Sequence, residues 1–142
     1  MSNGGSVLLY KALLAVVNGA EIERRGLDVA DDPNGYTGSP GTRGRGGAYF
    51  ATAASLALTH VPLRDYRNGL LVVTLLKADY DALCASGGIL PDTLHAPGTS
   101  VRVQPTAFVA LNAATTAPKG SRRYFRTGSV LPTGEAVPYD RP

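Results

Sequence analysis

Cysteine occurs once in this sequence, at Cys84. A single thiol cannot close an internal disulfide, and no Cys/His spacing has the form of a metal site, so disulfide scaffolds and zinc modules are excluded. With no partner to activate it as a nucleophile, Cys84 is expected to be a small packed side chain. No apolar run is long enough for a transmembrane helix, and Met1 to Ser6 carries no basic segment ahead of an apolar stretch. The expectation is therefore no signal peptide, no membrane partner and a cytoplasmic location, or export without a cleaved signal. The usual catalytic signatures are also missing: there is no G-x-S-x-G elbow, no P-loop and no H-E-x-x-H. Charged residues are only 18% against 44% apolar, which argues against disorder and against a coiled coil.

What is present suits one globular domain over residues 1–142, with 1–6 as a flexible start. The 17 glycines and 10 prolines call for many turns and short elements rather than a helix bundle. Net charge is +3, and the arginines are clustered: Arg43 and Arg45 within a glycine run, then Arg122, Arg123 and Arg126. Such clusters suit an anionic partner or a solvated surface.

Val7 to Leu13 reads as a buried strand or the beginning of a helix. Ala15, Val16, Ala20 and Ile22 recur at helical spacing, and Gly26 follows Arg24 and Arg25 as a stop, which predicts a helix over Ala15–Arg25. Asp31 to Gly47 is a glycine-rich loop. Ala48 to Ala51 is a short strand, and Thr52 caps a helix over Ala53 to His60 that stops before Pro62. Leu70 to Leu76 is the strongest strand, a near-continuous apolar run and therefore covered on both faces. Ala78 to Ala85 forms a helical turn ended by Gly87-Gly88. Val101–Val103 and Thr106–Leu111 are further strands separated by Pro105, and a last strand falls around Gly134 to Tyr139. The fold class is α+β, a mainly antiparallel β core of two packed sheets with two short helices.

Gly41-Thr42-Arg43-Gly44-Arg45-Gly46-Gly47 has the look of a dinucleotide fingerprint but precedes a strand instead of joining a strand to a helix, so it is not a Rossmann loop. Its backbone N–H groups and two guanidiniums could still hold a pyrophosphate. Order and spacing add more. Leu9-Tyr10-Lys11-Ala12, Arg25-Gly26-Leu27, the glycine loop and Gly47-Ala48-Tyr49-Phe50-Ala51 follow one another, and Glu135-Ala136-Val137-Pro138-Tyr139-Asp140 lies near the end. Together these stretches resemble the ADP-ribosyltransferase superfamily, most nearly its poly(ADP-ribose) polymerase-like and small bacterial toxin branches. The likeness spans about residues 8–76 and 134–140.

The resemblance implies NAD as substrate, no metal, and cleavage of the nicotinamide–ribose bond with transfer of ADP-ribose to an acceptor or to water. It assigns Glu135 as the catalytic carboxylate that stabilises oxocarbenium character at the ribose. Tyr49 would line the nicotinamide pocket, with His60 at the place of a second stacking ring. Tyr10, Lys11 and Ala12 occupy the first-strand motif, and Arg43 and Arg45 lie on the donor loop. Three positions depart from the family pattern. Lys11 replaces His or Arg and offers one point charge. Ala12 replaces a glycine and can present its backbone only at negative φ. Ala57 replaces a serine, leaving Ser55 as the nearest hydroxyl.

The alternative is a non-catalytic module that binds nucleic acid or a partner protein through Arg43, Arg45, Arg122, Arg123, Tyr124 and Arg126. Asp31-Asp32 and Asp79/Asp81 read as caps or solvated pairs, and His95 as a loop histidine.

Overall fold

The computed structural model describes residues 5–14, 18–28, 48–58, 66–91 and 100–137. These form an α+β domain around one six-stranded antiparallel sheet. The strands are β1 (Ser6–Leu14), β2 (Ala48–Ala51), β3 (Tyr66–Leu76), β4 (Ile89–Pro91), β5 (Ser100–Val103) and β6 (Ser121–Phe125). Their order across the sheet is β4-β5-β2-β1-β3-β6. The helices are α1 (Gly19–Arg25), α2 (Ala54–Leu58), α3 (Lys77–Ala85) and α4 (Phe108–Ala114).

β1 and β3 form the spine. They pair from Ser6↔Leu76 to Leu14↔Tyr66, with an irregularity between Ala12 and Leu14. Side chains alternate along a strand, so Leu9, Lys11 and Leu13 share one face with Leu71, Val73 and Leu75. Tyr10 and Ala12 share the other with Leu70 and Val72. All ten are buried. An apolar run that is buried whichever way it points is the pattern expected of strands covered on both faces. Truncating one fully buried leucine in such a place typically costs ~2–5 kcal/mol.

α1 and α4 lie over the face of Leu71 and Val73. α1 begins behind Asn18, whose side chain accepts from the Glu21 N–H at 3.1 Å. It ends at Gly26, whose N–H reaches the Ile22 carbonyl at 2.8 Å. Its expected start at Ala15 is thus moved to Gly19, and residues 15–17 lie outside the described residues. Close approach to β6 needs Gly19: a β-carbon there would sit 2.3 Å from the Tyr124 ring. Beyond α1, the Asn112 side chain of α4 pairs with the backbone of Leu27, accepting from its N–H and donating to its carbonyl, both at 2.8 Å. Gly26 makes room for that amide, since its φ is +86° and a β-carbon would meet Asn112 at 2.3 Å.

Other sequence expectations are corrected here. Thr106–Leu111 is not a strand. Pro105 opens a 3₁₀ turn that runs into α4, and Ala107, Phe108, Leu111 and Ala114 are buried at helical spacing while Val109 is 82% exposed. Proline suits a first helical position, where its missing N–H has no role to fill. Ser121–Phe125, read only as a basic cluster, is the edge strand β6, and its Tyr124 N–H is covered by the Glu23 carboxylate at 2.7 Å. Instead of a strand from Gly134 there is a small hairpin with one isolated bridge, Val130↔Ala136; residues 138–142 lie outside the described residues. Cys84 is exposed rather than packed. Among the described residues no helix is long and apolar enough to cross a membrane.

Asn112→Ala would leave the buried N–H and carbonyl of Leu27 without partners. It should lower stability by about 1–3 kcal/mol, measured as a fall in the urea midpoint with unchanged slope. An unchanged midpoint would show that Asn112 does not pin the two helices together.

Candidate functional site

The sheet is thinnest between β1 and β2. β1 pairs with β3 along eight registered positions and β2 pairs with β5 along four, yet β1 and β2 meet at one registered pair among the described residues, Tyr10↔Ala51. The first-strand motif and the Tyr-Phe motif therefore lie side by side. Lys11 is only 3% exposed. Its ammonium donates to the Tyr49 carbonyl at 3.5 Å and stands 6.0 Å from the centre of the Phe50 ring. Burying an ammonium is costly, and a carbonyl and an aromatic face offset part of that cost. The pair Tyr10↔Ala51 fixes which side chains share a face: Tyr10, Ala51 and Tyr49 on one, Lys11 and Phe50 on the other.

Tyr10, Lys11, Ala12 and Tyr49 are thus gathered at one junction, all buried. Ala12 has no positive φ, so its backbone meets the condition set by replacing glycine. Ser55 is exposed on α2, whereas Ala57 is fully buried; the serine hydroxyl does not take the inward place of Ala57. Arg43, Arg45, His60 and His95 lie outside the described residues. Glu135 sits in the hairpin built by Gly134 N–H to Leu131 O and Leu131 N–H to Glu135 O, each 2.8 Å. Buried Leu131 and Val137 root that hairpin in the core. The Glu135 side chain is exposed, and its carboxylate accepts from the Thr133 hydroxyl at 2.9 Å. Its hydrogen bonds stay within the hairpin and do not connect it to Lys11 or Tyr49.

The late arginine cluster is largely absorbed by the fold. Arg122 donates to the Glu23 and Arg24 carbonyls at the end of α1, each at 3.3 Å, to Asn112 O of α4 at 2.9 Å, and to Thr115 Oγ1 and Thr116 Oγ1 just beyond it at 3.0 and 3.1 Å. Partial burial lowers its pKa from the ordinary arginine value. Arg123 stacks over Phe125 at 4.8 Å. Asp81 pairs with Lys77 at 2.8 Å as a solvated pair does, whereas Asp79 is half-buried, its Oδ2 3.7 Å from the Lys119 ammonium and without a hydrogen bond.

Sequence reading missed β5 as a site element. Tyr49 is registered opposite Arg102, and Ala51 opposite Ser100. Ser100 is buried and Arg102 half-buried. The alternation Ser-Val-Arg-Val shows that the two polar residues share a face, but only long-range pairing shows that it is the face of Tyr49. A cavity of about 320 Å³ adjoins this strand, lined by Tyr80, Cys84, Ile89, Leu90, Ser100 and Val101 among others. Burial, followed by the neighbouring Cys84 thiol, raises the Tyr80 phenol above its ordinary range. Among the described residues no group of His, Cys, Asp and Glu could hold a metal ion. Comparison of the chain with known protein families, with curated proteins and with solved structures finds no match to any of them.

Burial also raises the Tyr124 phenol, against a smaller opposing effect of Arg126. A raised folded-state pKa means that the neutral phenol's contribution is complete below pH ~10 and is lost as pH rises through the folded value. Stability should therefore fall above that pH, and Tyr124→Phe should flatten the fall in urea melts taken across the alkaline range. An identical alkaline slope in the variant would rule Tyr124 out as a cause.

Proposed function

We propose that this chain is an NAD-binding domain of the ADP-ribosyltransferase kind, which cleaves the nicotinamide–ribose bond and passes ADP-ribose to an acceptor or to water. The observation that carries the reading is the one registered pair between β1 and β2 among the described residues, Tyr10↔Ala51. It lies between the β4-β5-β2 and β1-β3-β6 halves of the one six-stranded sheet, and it brings the Lys11 motif against the Tyr49 motif. An extended dinucleotide lies along that junction in this reading.

In this reading the buried Tyr49 ring supports the nicotinamide, and Tyr10 and Ala12 present backbone groups to its carboxamide. Lys11 donates to a ribose hydroxyl or a phosphate oxygen. His60 flanks the ring, and Arg43 and Arg45 meet the pyrophosphate from the donor loop. Glu135 supplies the carboxylate for the developing oxocarbenium ion. Among the described residues its carboxylate has one contact, with the Thr133 hydroxyl, and the reading requires it to turn from there toward the ligand. Nucleic-acid binding receives less support, since Arg122 is already engaged by carbonyls and hydroxyls of α1 and α4.

The test is nicotinamide release from NAD. Wild-type protein should release it, and Tyr49→Ala should abolish saturable NAD binding. Glu135→Gln should lower kcat by roughly 10²–10³-fold with little change in KM. Equal turnover by Glu135→Gln would remove Glu135 from the reaction. Absence of both NAD binding and release by the wild type would overturn the reading.

A further inference from the structure

We propose that the groove between α3 and α4 binds a free α-amino acid with an apolar side chain, its ammonium against Asp79 and its carboxylate against Lys119. The groove is lined by none of the residues of the β1–β2 junction, and the inference does not depend on the ADP-ribosyltransferase reading.

Small side chains make the groove. Exposed Ala82, Ala110 and Ala113 stand over buried Leu83 and Ala114, which leaves a hollow of about 390 Å³. A hollow of ~300–1,000 Å³, apolar apart from a few placed polar groups, is the usual form of a small-molecule site. Here the charged groups stand together: Asp79 comes from the first turn of α3 and Lys119 from the turn after α4. The backbone of Lys119 is held by that turn, its N–H donating to the Thr116 carbonyl at 3.0 Å. At Ser86 a second hollow of about 260 Å³ adjoins the first and shares Leu83, Ser86 and Ala110 with it. The apolar part of a ligand therefore has room in that direction.

The charges select the ligand. Asp79 Oδ2 is shut off from water and makes no hydrogen bond, although the Lys119 ammonium is 3.7 Å away. That separation exceeds hydrogen-bond length, whereas the solvated pair Lys77–Asp81 closes to 2.8 Å. A buried carboxylate oxygen without a donor is costly, and native structures normally supply it with one. An anion alone would be attracted by Lys119 and repelled by Asp79, and a cation alone the reverse. A zwitterion that carries both charges on one carbon answers both groups. With its ammonium beside Asp79 and its carboxylate beside Lys119, the four charges alternate in sign. Binding requires the Lys119 side chain, 54% exposed, to lean outward and admit the ligand ammonium to Oδ2. The ligand's own side chain then lies along the alanines, where removal from water favours an apolar one.

The experiment titrates L-leucine, isocaproate (which lacks the ammonium) and isoamylamine (which lacks the carboxylate) into the protein by calorimetry. The wild type is compared with Asp79→Asn, Lys119→Gln, Ala110→Leu and Asp81→Asn, and a melting curve of each free protein serves as the folding control. The wild type should bind L-leucine saturably, and the two truncated compounds about 10–100-fold more weakly. Asp79→Asn and Lys119→Gln should each weaken L-leucine by a similar factor, and Ala110→Leu, which fills the groove from an exposed position, should abolish its binding. Asp81→Asn, with the same change of net charge as Asp79→Asn, should bind like the wild type. Should Asp79→Asn fail to fold, Lys119→Gln and Ala110→Leu decide. The proposal is overturned if the wild type gives no saturable binding of L-leucine, which is the result expected if only water fills the space beside Oδ2. It is equally overturned if isocaproate or isoamylamine matches L-leucine, if the groove variants bind as the wild type does, or if Asp81→Asn weakens binding as much as Asp79→Asn.

Discussion

Burial of β1 on both faces is the constraint on which the rest of the domain depends. A strand whose odd and even side chains are both removed from water must be covered by two layers and paired along both edges. β3 takes one edge over its full length, and α1 and α4 cover one face. The other edge is left to β2, which at four residues is too short to match it. The brevity of β2 makes the thin junction at Tyr10↔Ala51, where Lys11 meets the Tyr49 carbonyl. Site and scaffold thus have one origin.

The second organising feature is polar. Arg122 and Asn112 are the long-range pins of the helical layer, one tying the carbonyl ends of α1 and α4 to β6, the other mimicking a short β-ladder with Leu27. Helix C-termini leave carbonyls without intrahelical partners, and a cation answers two needs there, hydrogen bonding and the negative end of the dipole. An arginine read as a candidate for phosphate instead serves the backbone.

Elements whose burial is uniform were legible from residues alone. Ala48 to Ala51 and the core of β3 are apolar in runs of strand length, and α1 has its stop at Gly26. β1 was ambiguous because Val7 to Leu13 fits either period until its neighbours are known. α4 was misread because Phe108 to Leu111 is apolar without a break; the helix declares itself only through Ala114 one turn later and through Pro105 at its start. β6 was hidden by its charge, which is what an edge strand carries to discourage pairing. For the site, the nearness of Lys11 to Tyr49 was an implication of the family resemblance, whereas the pairing of Tyr49 with Arg102 was not legible, since register between strands fifty residues apart leaves no local trace. Glu135 was read at the head of a strand and lies in a hairpin, because Gly134 and Pro138 bracket too few residues to build a ladder.

The one registered pair between β1 and β2 among the described residues also bears on how the molecule would open. β1, β3 and β6 share an extended ladder and most of the largest buried side chains, while β4, β5 and β2 are strands of three or four residues. Native proteins open in cooperative units whose boundaries fall where few bonds cross. Amides of the β4-β5-β2 set would then exchange with solvent by a sub-global opening, at lower free energy than those of the spine. Such an opening would run along the line between Tyr10 and Ala51, so a ligand spanning it would couple the two units and raise protection on both sides at once.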